Sequence, residues 1–389
     1  MTVSYWQRAE EFLGRRFEVA VVGGGIAGVS AALELSRRGV DVCLLERHGL
    51  ASGASGRNAG FLMRGVAESY AAAAERYGRE AAAELWRWTE ANLAALRGEG
   101  IGTLPGYAER GSTLVAFDDG EAGDFERSAV MLRADGFEFE LIDAPPRDPD
   151  SLWSSSLARL ALRNPHDAVC SPVEMVEMLA SGLGTSVCVQ THTEVTAIED
   201  RGTDGVALET SRGWVRADRV MVCANAWTSA LVPRLRGMIE PKRGQMIQVA
   251  AAGAALHDAY YANRGNEYFR QVAPGKFIFG GWRRAEPAGE AGLTDGVRAE
   301  VQDRLFELAR RILGDGASRG GGWGGAMAFT ANHLPIVGPM NAHGRVWVCG
   351  GFTGHGMSMG FITARAAVRE MLGDPRELPG AVMSPADLA

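Results

Sequence analysis

The residues most ready for chemistry form one short run, Gly23-Gly24-Gly25-Ile26-Ala27-Gly28, which satisfies G-x-G-x-x-G. In such a run one glycine makes a tight turn and one lets backbone approach a pyrophosphate. The third allows a helix to pack closely on a strand, and the phosphate sits at the helix N-terminus. Glu46 lies 18 residues past Gly28, at the offset of the acid that holds a ribose hydroxyl, and Arg47 follows it. The chemistry implied is dinucleotide binding. A chain with 51 glycines makes such turns by chance, so the flanking elements and the acid carry the signal. The turn does not separate a flavin dinucleotide from a nicotinamide one.

Two further glycine-rich stretches bear on that choice. Ser52-Gly53-Ala54-Ser55-Gly56-Arg57-Asn58-Ala59-Gly60-Phe61 follows the acid and is too long for a simple link to a third strand. Its small side chains let backbone N–H groups line a ligand. A flexible linker is the bland alternative, although Arg57-Asn58 is unusual for one. Gly350-Gly351-Phe352-Thr353-Gly354-His355-Gly356 precedes a helix predicted over 357–372, so amide donors and a positive dipole end converge there. Such donors suit a reduced flavin, whose N1 and C2 carbonyl gain negative charge only as hydride arrives. His355 is either a base or a spacer with its ring in a structural hydrogen bond. Tyr260, Tyr261, Tyr268, Phe269, Trp282 and Trp323 cluster in the second half. Each alone fits a core, but Tyr261, Tyr268 and Trp323 are the best pocket candidates, because a π face attracts an amine cation.

The elements that must position these residues can be read from apolar runs and stop signals. A strand at 17–22, a helix at 26–38 stopped by Gly39, and a strand at 40–45 make a βαβ unit. Residues 67–97 read as two helices broken near Gly78. Strand-like pieces at 112–117 and 137–142 precede a proline loop at 145–149. A helix at 172–183 leads to a strand at 186–190. A meander at 194–199, 206–210 and 214–216 turns at Gly202 and Gly213, before a buried strand at 219–224. The stretch 245–282 is β-rich, 297–313 is a helix, 320–325 is a glycine block and 346–349 is a strand. No internal repeat is evident.

Bulk properties exclude several classes. At 389 residues, 46% hydrophobic, 22% charged and −7 net, with mean hydropathy −0.07 and pI near 5.6, the chain suits a globular protein of two domains, or of one large domain carrying an insertion. It has no basic surplus for nucleic acid or an anionic membrane. Lysine occurs only at Lys242 and Lys276, which reads as genome bias toward arginine. Cys43, Cys170, Cys188, Cys223 and Cys349 are scattered without C-x-x-C spacing, so neither a disulfide framework nor a zinc site is expected. The first 16 residues carry Glu10 and Glu11 and look like neither a signal nor a transit peptide. No apolar run approaches a membrane span. A cytoplasmic location is expected.

Together, Gly23 to Gly28, Glu46 and Ser55-Gly56-Arg57-Asn58-Ala59-Gly60 resemble the D-amino-acid-oxidase-type (DAO) family of FAD-dependent oxidoreductases. That family includes glycine oxidase, sarcosine oxidase, D-amino-acid dehydrogenase and gamma-glutamylputrescine oxidase. Three more segments agree. Residues 217–227 look like its strand ending in A-G-A-W, with Asn225 in place of the glycine. Pro241-Lys242-Arg243-Gly244-Gln245 resembles its P-x-R-G-Q turn, and Gly350 to Gly356 its C-terminal flavin loop. The resemblance spans 18–373.

It implies an α/β fold: a Rossmann-like FAD-binding domain of glutathione-reductase type, interleaved with an α+β substrate domain on a mainly antiparallel sheet. The expected division is 17–100, 165–235 and 326–375 for FAD, with 101–164 and 236–325 for substrate. The cofactor residues implied are Gly23, Gly25, Ile26, Ala27, Gly28, Glu46, Arg47, Ser55, Gly56, Arg57, Asn58, Ala59 and Gly60. Val195, Ala224, Trp227, Gly351, Phe352, Thr353, Gly354, His355, Gly356 and Met357 complete that set. FAD should be non-covalent, because Gly325 and Arg57 stand where covalent relatives place Cys or His.

Family chemistry is hydride transfer from the carbon beside a neutral amine to flavin N5, giving an imine that hydrolyses. Tyr261, Tyr268, Arg270, Trp323, Met327 and His355 are the catalytic-site candidates. In amino-acid-oxidising relatives an Arg clamps the substrate carboxylate where this chain has Met327, and Asn332 replaces an Asp nearby. Met cannot form the bidentate pair. The expected substrate is therefore a small amine without an α-carboxylate at that place. The 55–60 loop and Ser4-Tyr5-Trp6 lean the same way, toward the gamma-glutamylputrescine branch. The competing possibility is a clamp from Arg64 or Arg270, as in a D-amino-acid or glycine/sarcosine-type enzyme. A hydroxy-acid dehydrogenase, a tRNA-modifying flavin domain and an NAD-binding protein are further alternatives. The acceptor, oxygen or quinone, and the oligomeric state stay open.

Overall fold

Strand Arg16–Val22 ends in four consecutive buried residues, the pattern of a strand covered on both faces in a parallel sheet. The computed structural model, which describes residues 14–143, 158–282 and 289–388, places it at the centre of such a sheet. The 145–149 loop and Ser4-Tyr5-Trp6 lie outside the described residues. Arg16–Val22 pairs in parallel with Val42–Leu45 on one side and Gly213–Val222 on the other. Val187–Gln190 and Val346–Gly350 extend the parallel set outward. Ile336–Pro339 closes one edge antiparallel. Helices Ile26–Arg37 and Gly356–Met371 pack together over one face, where Ile26 touches the space above Gly360.

The strands Val195–Asp200 and Val206–Thr210 form the expected meander. Val206–Thr210 in turn pairs with the first half of one continuous strand, Gly213–Val222. Residues 214–216 and 219–222 are therefore not separate strands. Arg216 is paired on both sides, with Arg16 and with Ala207, so the polar residues there do not break the strand.

The second sheet runs in the order Ser318–Phe329, Glu240–Ala250, Lys276–Gly281, Glu267–Ala273, Ala259–Ala262, Ser112–Ala116, Leu160–Asn164, Glu140–Asp143. All its pairings are antiparallel except Ala259–Ala262 with Ser112–Ala116. The glycine block expected at 320–325 lies inside its longest strand, Ser318–Phe329. That strand also runs through residue 326, where a domain boundary was expected. Helix Asp119–Ala134, capped by Asp118 through the Glu121 N–H, interrupts a region read as strands. The helix break at Gly78 is present, between Tyr70–Tyr77 and Arg79–Gly98.

All five cysteines are free, although Cys43 and Cys188 face each other in register on adjacent strands. Among the described residues no cluster fits a metal ion and no helix is long and apolar enough to cross a membrane.

Candidate functional site

The glycine turn is built by contact. A Cβ on Gly28 would lie 1.8 Å from the Gly23 carbonyl oxygen, and one on Gly23 would meet the Cys223 carbonyl oxygen at 2.7 Å. Only glycines allow the helix to start so close to both strand ends. Glu46 secures the turn: its Oε2 accepts from Gly24 N at 2.7 Å, and its Oε1 from His48 N at 2.9 Å and Ser52 Oγ at 3.3 Å. Ser55 Oγ accepts from Ile26 N at 2.9 Å, satisfying one of the amides that a helix leaves without a carbonyl partner in its first turn.

These groups open on a cavity of about 370 Å³, whose wall includes Gly23, Gly25, Ile26, Ala27, Glu46, Arg47, Ser55 and Asn58. Further along, Val195, Ala224, Trp227, Met327, Phe352, Thr353, Gly354, Gly356 and Met357 line it. The Arg47 guanidinium stacks 3.7 Å from the Trp227 ring centroid. Ser52, Gly53 and Ala54, from the stretch expected to line a ligand, are on the wall, and so are Thr193, Glu194, Thr196 and Asn225, which were not expected there. The pairing of Val42–Leu45 with Val187–Gln190 carries Thr193 and Glu194 beside Glu46. No motif in the sequence announces that approach.

The Ser55–Gly60 loop works differently from the expectation that its backbone amides line the ligand. Gly28, Gly56, Arg57, Ala59, Gly60, Gly351 and His355 are not on the cavity wall. Arg57 Nε donates to the Ser52 carbonyl at 2.8 Å and Nη1 to the Gly324 carbonyl at 2.9 Å. The Trp323 indole N–H returns a bond to the Arg57 carbonyl at 3.0 Å. Asn58 Nδ2 donates to the Ala54 and Ser55 carbonyls, while its Oδ1 accepts from Gly60 N. The motif's long side chains thus lock the loop and tie it to the second sheet. Arg57 packs beside Gly325, where a Cβ would lie 3.1 Å from its side chain.

At the other end, Gly351 and Thr353 both have left-handed φ, +83 and +48. The Thr353 N–H donates to the Ala328 carbonyl at 2.9 Å. The loop then enters helix Gly356–Met371, whose first-turn amides and dipole favour negative charge.

Strand alternation sorts the aromatics. Tyr260 and Phe269 stack at 5.3 Å in the core, while Tyr261 and Tyr268, one residue away on each strand, face the opposite side. There Phe61 lies 5.4 Å from Tyr261 and 6.4 Å from Tyr268 by ring centroid, and His355 lies 6.1 Å from Tyr261. Trp323 packs against the same cluster. Met327 reaches it too: a Cβ on Gly244 would meet Met327 Cε at 2.7 Å and Tyr268 Oη at 3.6 Å. These residues form a packed aromatic cluster beside Met327, which itself lines the cavity.

The two arginines named as alternative clamps differ: Arg64 turns away, and Arg270 uses two of its five N–H donors on backbone carbonyls. Arg270 donates from Nε to the Ala59 carbonyl at 2.6 Å and from Nη2 to the Cys170 carbonyl at 2.7 Å. Burial lowers its pKa to about 10. Arg64 reaches away, to Glu90, the Glu138 carbonyl and Asn164. It lines a second, polar cavity of about 210 Å³ that also holds Asp167. Burial raises the Asp167 carboxyl to about 6.

The glycine cradle, the acid and the two helix N-termini along one cavity fit a dinucleotide. A family model described as FAD dependent oxidoreductase (DAO) matches residues 18–370. The chain is 24% identical over 385 residues to the probable oxidoreductase OrdL of Rhizobium meliloti, covering 94% of this chain and 85% of that one. It is 24% identical over 380 residues to gamma-glutamylputrescine oxidoreductase of Escherichia coli, covering 92% and 84%. The crystal structure of glycine oxidase from Geobacillus kaustophilus superposes with a TM-score of 0.79 at 21% identity, covering 93% of this chain and 96% of that one, and so shows the fold. Because the family model spans all but the termini, the chain belongs to the DAO family and is an FAD-dependent oxidoreductase acting on amines or amino acids.

Proposed function

We propose that the enzyme oxidises a C–N bond of a small amine that presents no α-carboxylate to an arginine. The observation that carries this reading is Met327, which holds the place of a clamp on the cavity wall, while Arg270 commits its Nε and one Nη to backbone carbonyls. A carboxylate buried there would lack the paired donors that offset its desolvation. Bound FAD supplies the hydride acceptor. The chain's own residues do the rest. Tyr261, Tyr268 and Phe61 hold the amine's carbon against an apolar wall and exclude water, and His355 borders the same space. The first-turn amides of Gly356–Met371 stabilise negative charge at the cofactor end. Glu46 and the 23–28 turn take the dinucleotide, and the second sheet supplies the substrate side. The similarity to gamma-glutamylputrescine oxidoreductase supports an amine of that kind.

Anaerobic bleaching of the flavin by a panel of D-amino acids, glycine, sarcosine, putrescine and γ-glutamylated diamines tests the reading. Bleaching by the diamine derivatives is expected; rapid turnover of simple D-amino acids would sink it. Oxygen uptake in the same panel separates oxygen from a quinone as acceptor.

A further inference from the structure

Asn225 stands where the resembling A-G-A-W pattern has glycine, and its backbone explains why glycine suits the position. Its φ is +46, in the left-handed region that costs most residues energy and that Asn tolerates better than others. The residue opens the short turn Asn225–Trp227, just beyond strand Gly213–Val222. Glycine would take this conformation without strain, so the asparagine side chain must offset the cost it brings.

Half of that side chain has a visible partner. The Gly351 N–H donates to Asn225 Oδ1 at 3.3 Å. Because the backbone group is a donor, the atom facing it must be the amide oxygen, which leaves Nδ2 with two N–H donors. Asn225 also lies on the cofactor cavity wall. A Cβ on Gly350 would fall 3.5 Å from Asn225 Cα, and one on Gly23 would fall 3.4 Å from Ala224 Cα. Asn225 therefore packs on the flavin loop, one residue beyond the contact with the phosphate turn.

We propose that Asn225 is a cofactor-binding residue that the glycine-bearing pattern lacks. Its Oδ1 fixes the 350–356 loop, and its Nδ2 donates to an acceptor oxygen on the pyrophosphate-to-ribityl stretch of FAD. Two variants separate this from a merely structural role. Asn225→Gly keeps the left-handed backbone and removes the amide. Asn225→Asp keeps the acceptor for Gly351 N–H but turns a carboxylate oxygen toward FAD in place of Nδ2.

The readout is FAD release from diluted holoenzyme, followed by recovery of flavin fluorescence, with the melting temperature of each apoprotein measured alongside. Asn225→Gly is expected to weaken FAD binding about tenfold. Asn225→Asp should be at least as weak, with apoprotein melting of Asn225→Gly at or above wild type. Asn225→Gly within about twofold of wild type, or Asn225→Asp binding FAD more tightly than Asn225→Gly, overturns the proposal.

Discussion

Tyr268 shows how one residue's position is set by what its neighbours lack. A Cβ on Gly280, across the strand pair, would lie 2.3 Å from the Tyr268 ring, and one on Gly244 would lie 3.6 Å from its hydroxyl. The ring rests on bare backbone between two glycines, and this lets Phe61, Tyr261 and Tyr268 converge. Gly280→Ala must therefore push the ring off its seat, because the contact is with a ring edge flanked by packed neighbours and not with a flexible tip. Gly280 does not line the cofactor cavity, so flavin content and spectrum should match wild type. KM for the best amine of the panel should rise about tenfold, the loss of roughly 1.4 kcal/mol of aromatic contact, with kcat changed far less. An unchanged KM in a flavin-replete variant would remove Tyr268 from the substrate wall. From sequence, Tyr261 and Tyr268 were already preferred to Tyr260 and Phe269, but on a π-face argument that fits all four alike. The separation came from the register Tyr261↔Tyr268, Tyr260↔Phe269, which puts alternate residues on opposite faces.

Among elements, the strand Ser318–Phe329 was the least legible and the most constrained. Its glycines answer side chains that arrive from elsewhere. A Cβ on Gly322 would lie 1.9 Å from Gln302 Oε1, one on Gly324 2.8 Å from the Gly296 carbonyl oxygen, and one on Gly325 3.1 Å from Arg57. Local propensity argues against a strand there, and tertiary contact overrides it. Helix Asp119–Ala134 escaped notice because glycines and charges blur its apolar face. By contrast the 16–45 unit was readable, since its strands are covered on both faces and its helix ends in a basic turn. The P-x-R-G-Q motif was readable, but it is not the turn expected: Pro241 to Gln245 lie inside strand Glu240–Ala250, paired with Ser318–Phe329, and its purpose was not legible. Arg243 Nε pairs with Glu290 Oε2 at 2.9 Å, both side chains buried, and Gln245 Nε2 donates to Glu290 Oε1 at 2.8 Å. The pair holds the segment near 290 against strand Glu240–Ala250. Glu290→Gln would leave the Arg243 charge buried without its counter-ion, a loss of about 3–5 kcal/mol. Thermal or urea unfolding should show that loss. A variant as stable as wild type would mean that water reaches Arg243 and screens it.

At the scale of the molecule, the cofactor cavity is closed by stretches far apart in the chain. Stretches within 22–27, 45–58, 193–196, 223–231, 327–328 and 352–357 each contribute residues to its wall. The unfolded chain cannot assemble those stretches, so FAD binds the folded state alone and must stabilise it by mass action. At a free concentration one hundred times its dissociation constant the gain is about 2.7 kcal/mol. In a chain of this length that raises the melting temperature by roughly 3 °C, because unfolding entropy grows with size. Apoprotein titrated with FAD should therefore melt progressively higher, the midpoint climbing with the logarithm of FAD concentration once the site is filled. NAD at the same concentrations should give no such climb. It carries the same adenosine end toward Glu46 but has a single nicotinamide ring in place of the tricyclic flavin that would fill the space beside the Phe352–Met357 loop, so it covers only part of the wall. Equal shifts from the two nucleotides would mean that the adenosine end alone supplies the stabilisation. In that case the Gly350–Gly356 loop would contribute nothing to holding the cofactor.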